Sequence, residues 1–387
     1  MIKNSFFLSS MFVYINTLGY ILHVIISRIL GPEKYGEFMV IYSFMLAIGF
    51  LSTVYPNLTI KMVIEDGNIR YDIFRFIRLT SVGIGFLLWV FILINSEFLA
   101  NFLRIEKEYL LIIPFIWFLI FLNSVEKGFL QAKERFGMYS LINSFELTIR
   151  FFLVLFFLYL GYEIWGIMFA TLSALLISFI LLLLINKNLF GNIKPISFKK
   201  FSITVLTTIP TGLFIYADDI FIRRIFDSKT AGLYASASIV GKAFTWFCIT
   251  IFSVYFIKIV KDSTAYKNLV FRYFVFILSV SLLTEILILT FGKEIFTFLF
   301  GYKFINAFDY LKVYIPSNIP LILSVAIITA NISIEKLTKY VYLHLFCYYA
   351  GFLVFDFITP YHYLLYIFLL NSIFLSIYCF KIFKNFS

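Results

Sequence analysis

The stretch Arg28-Ile-Leu-Gly-Pro-Glu-Lys-Tyr-Gly-Glu-Phe38 returns as Arg224-Ile-Phe-Asp-Ser-Lys-Thr-Ala-Gly-Leu-Tyr234. Both read Arg-Ile, a large apolar residue, five residues, Gly, one residue, aromatic. From position 28 to position 224 the offset is 196, about half of the 387-residue chain. Each copy stands where one long apolar run ends and another begins. Repetition at this period predicts two similar halves facing each other, an arrangement common in transporters, with the working site between the halves.

The solvent implied by the composition is lipid. Hydrophobic residues make up 62% of the chain and charged residues 14%, where soluble domains run near a half and a quarter. Mean hydropathy is +0.96. The net charge of +11 would suit nucleic acid, but no basic run with interleaved aromatics stands outside the apolar segments. Lys and Arg loading of cytoplasmic loops accounts for it. Cys248, Cys347 and Cys379 all fall in apolar stretches without metal or redox spacing, and His23, His344 and His362 are scattered. No metal site, cofactor or catalytic residue is expected. There is no Gly-rich phosphate loop. The apolar run Phe6 to Leu30 is too long for a signal-peptide core and reads as a retained membrane helix.

A bilayer core takes about 20 apolar residues of helix. Twelve segments qualify: 5–30, 38–58, 79–96, 109–131, 139–160, 165–186, 201–222, 234–257, 270–291, 311–331, 340–358 and 361–380. Gly161 and Pro360 mark the short turns after the fifth and eleventh. Twelve spans place both termini on one side. With that side inside, inner Lys and Arg outnumber outer ones about two to one, which places the termini in the cytoplasm. The polar stretch Lys187 to Lys200 divides six spans from six. The chain therefore reads as an N-terminal bundle (1–186), a cytoplasmic linker (187–200) and a C-terminal bundle (201–387). An even number of spans per half makes the repeat parallel, and both copies of the motif fall at the outer end of their half's first helix.

Ionisable residues inside a membrane helix are expensive, about 2.5–3.5 kcal/mol on insertion scales. Glu146 and Arg150 share a helix face at i, i+4, either as a self-neutralised pair or as a pair lining a cavity. Lys242 has no acid within four residues and is expected to face water or to find a partner on another helix. Asp218, Asp219, Arg223 and Arg224 cluster near the outer end of the seventh span, as an interfacial salt-bridge group or as gating charges. Arg28 is the counterpart of Arg224 in the first half. Glu285, alone in an apolar run, is a partner for a distant cation or a coupling-ion site. Arg75, Arg78 and Lys61 read as topology charges. Pro56, Pro114, Pro210, Pro316 and Pro320 are breakers, and Pro210 is expected to kink the seventh span.

The segment Arg28 to Phe38 resembles the first loop of Wzx-type polysaccharide flippases of the multidrug/oligosaccharidyl-lipid/polysaccharide exporter superfamily. Ala217-Asp218-Asp219-Ile220, continuing to Ala231-Gly232-Leu233-Tyr234-Ala235-Ser236-Ala237, resembles the acid of that family's seventh helix and the Gly-x-Tyr-x-x-Ala signature after it. The resemblance implies an all-α integral membrane fold, with 12 transmembrane helices in two parallel six-helix bundles forming a V around a central cavity. It implies a multi-pass protein of the bacterial cytoplasmic membrane that is not an enzyme. Its implied activity is flipping an undecaprenyl-pyrophosphate-linked oligosaccharide, as in O-antigen, capsule or lipopolysaccharide biosynthesis. Arg28, Arg150 and Lys242 are the cations that would meet the pyrophosphate. One departure is that relatives usually end the eighth helix with a proline near the inner face, where Tyr255-Phe256-Ile257-Lys258 has none.

The reading is a lipid-linked oligosaccharide flippase working by alternating access. Its partners are the lipid-linked substrate, the bilayer and glycan-assembly proteins, with no nucleic acid and a monomeric state favoured. The rivals are a drug/cation antiporter on the same fold, which would favour an acidic cavity, and a membrane glycan polymerase or ligase, which would want a long outer loop.

Overall fold

A computed structural model describes residues 2–65, 68–187, 191–196, 198–261, 266–330 and 338–385. Residues 188–190 and 197 of the expected linker, residue 331 of the tenth span and Lys336 lie outside the described residues. So do the side chains of Lys3, Lys61, Lys199, Lys200, Lys258, Lys261, Lys267 and Lys384. The chain is helical almost throughout: α1 (Ile2–Gly49), α2 (Val54–Met62), α3 (Tyr71–Leu103), α4 (Lys107–Ala132), α5 (Phe136–Tyr159), α6 (Glu163–Asn186), α7 (Phe198–Ile225), α8 (Ser228–Lys261), α9 (Tyr266–Phe300), α10 (Ala307–Ala330), α11 (Thr338–Val354) and α12 (Pro360–Asn385). A minimal hairpin pairs Ile64–Glu65 with Asn68–Ile69.

Each of the twelve expected spans falls on a helix. The first two share α1, its short 3₁₀ continuation Phe50–Thr53 and α2. No open loop separates them. The helical backbone is broken within α1 only at Gly31 (φ 71°, ψ 173°), a conformation that costs glycine no Cβ clash. Pro32 then occupies the first position of the resumed helix, where its missing N–H is no loss. Eight helical stretches among the described residues are long and apolar enough to cross a bilayer. One of them, Val13–Ile60, has 48 residues, about 72 Å of helix and enough for two crossings. Among the helices outside this set, α7 and α8 carry the ionisable cluster described below. α11, at 17 residues, is about 26 Å long.

The chain packs as two compact units: residues 1–30 with 40–212, and residues 31–39 with 213–387. In the first, α4 is the hub, packed against α2, α3, α5 and α6; in the second, α10 is the hub, packed against α8, α9 and α12. These are the fourth spans of the two sequence halves. Their apolar windows are 61% and 72% buried, whereas the third spans, α3 and α9, are only 22% and 11% buried. The exposed faces of α3 and α9 are Phe86, Leu87, Ile94 and Phe98, and Leu282, Leu283, Phe291 and Phe298, side chains suited to lipid rather than water. Equal roles at equal positions are what an internal repeat predicts.

The division near residue 212 lies inside α7, just after Pro210, and the helix continues through that proline. The described part of the linker lies on α3 of the first unit. There Lys194 N–H donates to Asp72 O (3.2 Å) and Arg75 Nη1 to Asn192 O (3.0 Å).

Candidate functional site

In the second unit the two copies of the repeated motif meet. A Cβ on Gly36 would lie 2.7 Å from the backbone nitrogen of Gly232, and one on Gly232 would lie 1.7 Å from Pro32 O. Two helix starts cross here backbone to backbone, and only glycine leaves room. The copies break their helices by different means. Where the first uses Gly31, the second uses Asp227 as an N-cap. Its Oδ1 accepts from Lys229 N–H and Thr230 N–H (both 3.0 Å), and its Oδ2 accepts from the Thr230 hydroxyl (2.6 Å). These bonds, the Thr230 hydroxyl foremost, hold the Asp227 carboxyl below the usual carboxylate range.

About two turns before its end, α7 brings Asp218 and Asp219 inward. On α8, Tyr234, Ser238 and Lys242 follow at four-residue spacing and so share one face. The Lys242 ammonium lies 2.7 Å from Asp218 Oδ1 and 2.5 Å from Asp219 Oδ2. Asp218 Oδ2 accepts from the hydroxyls of Tyr314 on α10 (2.8 Å), Tyr234 (3.3 Å) and Ser238 (3.3 Å). Tyr314 reaches it by passing its ring over Gly241, where a Cβ would meet Cδ1 at 2.1 Å. Lys242 is 3% exposed. It lies between two carboxylates rather than facing water. Arg223, one turn beyond Asp219, is also buried, so the buried formal charges balance, two acids against two bases.

Elsewhere in this unit, Arg224 is exposed. Glu285 is half-buried on α9 and takes no part in the Asp218 cluster; its Oε2 has no hydrogen-bond partner among the described residues. A second polar group joins α11 to α12: His344 Nε2 to Asn371 Oδ1 (2.8 Å) and Nδ1 to Tyr378 OH (3.1 Å), all three side chains fully buried.

The first unit places its charges around α4. Glu126 and Lys127 are neighbours that point to different helices. Glu126 receives Arg78 of α3 (2.6 Å) and Asn186 Nδ2 of α6 (2.7 Å). The Arg78 guanidinium also lies over Phe74 (4.6 Å), whose ring stacks on Phe129 (3.8 Å). Arg78, read from the sequence as a topology charge, is thus also the partly buried partner of a fully buried carboxylate. Lys127 meets Glu146 of α5 at 2.7 Å, and Glu146 also holds Arg150 at 2.9 Å. The i, i+4 pair read from the sequence is thus a triad with two cations on one carboxylate. Lys127 and Arg150 side chains keep 14% and 23% exposure. Arg28, also in this unit, is exposed.

Of the three cations grouped from the sequence, Arg28 and Arg150 fall in one unit and Lys242, bound to its acids, in the other. Sequence reasoning missed Lys127, Tyr234, Ser238 and Tyr314. The four-residue spacing of Tyr234, Ser238 and Lys242 was the signal that could have found two of them. Among the described residues no group of His, Cys, Asp and Glu could hold a metal ion.

A protein-family model described as polysaccharide biosynthesis protein matches residues 1–256. The chain belongs to that family. Among solved structures, the polysaccharide biosynthesis chain is similar to the lipid II flippase MurJ in an inward closed conformation (TM-score 0.76, 15% identity, 98% of this chain and 88% of that one). It is also similar to an inward-facing multidrug resistance MATE family transporter of the MOP superfamily (0.73, 14%, 96% and 94%). A third likeness is to a MOP superfamily transporter from Pyrococcus furiosus (0.57, 14%, 100% and 96%). At these identities the likeness is one of fold, and the fold of this family member is of the MOP transporter type. No curated protein matches it in sequence.

Proposed function

We propose that the protein flips an undecaprenyl-pyrophosphate-linked oligosaccharide repeat unit across the bacterial cytoplasmic membrane by alternating access. Membership in a polysaccharide biosynthesis family supports the glycan, and the likeness to a lipid II flippase supports the lipid-linked class of substrate. The observation that carries the reading is the Lys127–Glu146–Arg150 triad. Two cations share one carboxylate, leaving one positive charge in excess on partly exposed side chains within the span region. Such a residual charge costs free energy in a membrane and is suited to a pyrophosphate, which offers several anionic oxygens to Lys and to the planar donor fork of Arg. The prenyl tail stays in lipid, where its burial needs no protein. Arg28, exposed at the end of the first span, is a further contact for acidic sugars or phosphate. O-antigen, capsule and lipopolysaccharide repeat units are the candidate cargoes.

The test is alanine at Lys127 and Arg150, singly and together, in the host strain. The expected result is loss of surface glycan and accumulation of lipid-linked single units on the inner side, with membrane levels of the protein unchanged. Normal surface glycan from the double variant would remove the site. A drug/cation antiporter on the same fold would instead want an unbalanced acid, and the buried acids of the Asp218 cluster are matched by bases.

A further inference from the structure

We infer that Lys242 is a tethered cation: its ammonium fills, between Asp218 Oδ1 and Asp219 Oδ2, a position that would otherwise take a small monovalent cation. Three observations on the second unit carry this. The two oxygens come from adjacent residues of α7 and converge on one point, 2.7 and 2.5 Å from Nζ. The other oxygen of Asp218 already accepts from Tyr314, Tyr234 and Ser238, which fixes the carboxylate so that Oδ1 is turned to the ammonium. All three charged side chains are at most 7% exposed, so bulk water does not screen the two carboxylates and a cation must stand beside them. Without Lys242 the buried charges of α7 and α8 would be, among the described residues, two carboxylates against Arg223 alone, and an uncompensated buried charge is costly. Because Lys242 is covalently held on α8, the position cannot exchange with solution, and the unit is complete without a bound ion. The inference stands on this geometry and is independent of the flippase reading. If both hold, the transport cycle takes up no cation at this place.

The experiment is thermal unfolding of the purified full chain in detergent, at constant ionic strength, with choline chloride replaced stepwise by sodium, potassium or ethylammonium chloride. Wild type should show no shift between salts. Lys242→Ala should show a rise that grows with the logarithm of cation concentration, roughly 2 °C once the cation exceeds its dissociation constant tenfold. Lys242→Gln should behave alike, and the charge-balanced Asp219→Asn/Lys242→Met double variant should not respond. A folded Lys242→Ala protein that answers to none of the cations, or a wild type that answers equally, overturns the inference. If both single variants fail to fold, recovery of the double variant supports it, because charge then decides. Failure of the double variant as well overturns it, because packing then decides.

Discussion

Gly36 and Gly232, equivalent residues of the two motif copies, lie backbone to backbone, with no space for a methyl group on either. Overpacking a tight contact costs about 1–3 kcal/mol. Gly232→Ala is expected to lower the unfolding midpoint more than Gly36→Ala, because its Cβ would strike the Pro32 carbonyl, a backbone atom that cannot turn aside. Gly83→Ala, in open space on α3, should be neutral or stabilising, since helix interiors favour Ala over Gly by about 0.5–1 kcal/mol. Equal midpoints for the three variants would refute the crossing.

Asp227→Ala should cost about 1 kcal/mol, the usual worth of an N-cap. The folded-state carboxyl is held below its ordinary value. Its contribution is therefore complete above the unfolded value of about 3.9 and is lost as the pH falls through the lower, folded value. The gap in midpoint between wild type and Asp227→Ala should stay constant from neutral pH down to about 5 and narrow below about 4. Asp227→Asn keeps an acceptor oxygen and should show a smaller, pH-independent difference.

Glu126 is fully buried between Arg78 and Asn186. Removing one partner of such a pair strands a charge and costs about 3–5 kcal/mol. Glu126→Ala should accordingly reduce the folded fraction recovered in detergent sharply. Arg78→Met/Glu126→Leu should recover most of the loss, and a double variant as poor as the single would show that Asn186, rather than the ion pair, sets the packing of α3, α4 and α6.

Tyr314→Phe should cost about 1.5–3 kcal/mol, the range for a hydrogen bond to a charged group. Gly241→Ala, which displaces the same ring, should cost at least as much. The two together should be less than additive, because they disturb one contact. Full additivity in a double-mutant cycle would separate the ring's position from its hydroxyl's role.

What the sequence made legible followed from distance along the chain. Apolar length located every helix, and the i, i+4 spacing found Glu146 with Arg150. The third member of that triad, Lys127, lies 19 residues from Glu146 on a different helix, where a single sequence carries no sign of pairing. It looked like one more loop cation. Lys242 shows the same limit from the other side. With no acid within four residues it was expected to face water or to find a partner on another helix, and which of the two could not be read, because Asp219 stands 23 residues away on α7 and is brought to it only by the packing of α7, α8 and α10. The repeat itself was visible, but not that its two copies touch, because Gly36 and Gly232 betray a close approach only when both backbones are placed. The break in α1 was expected as a loop. Gly31 and Pro32 achieve it with a single residue out of helix, since glycine supplies the turn and proline restarts the helix without a wasted donor.

The placement of residues 31–39 within the second unit sets a timetable for biosynthesis. Gly36 leaves the ribosome 196 residues before Gly232, and at about 5–20 residues per second that is an interval of roughly 10–40 s. Throughout it, the strip from Gly31 to Met39 is made but has no surface to settle on. The residues of the first unit, 1–30 and 40–212, are all made before Ser228 and the crossing turn arrive for this strip. Joining the strip to the second unit is therefore a long-range capture, and a lesion at Gly232 would be expected to act on yield during synthesis before it acts on the finished protein.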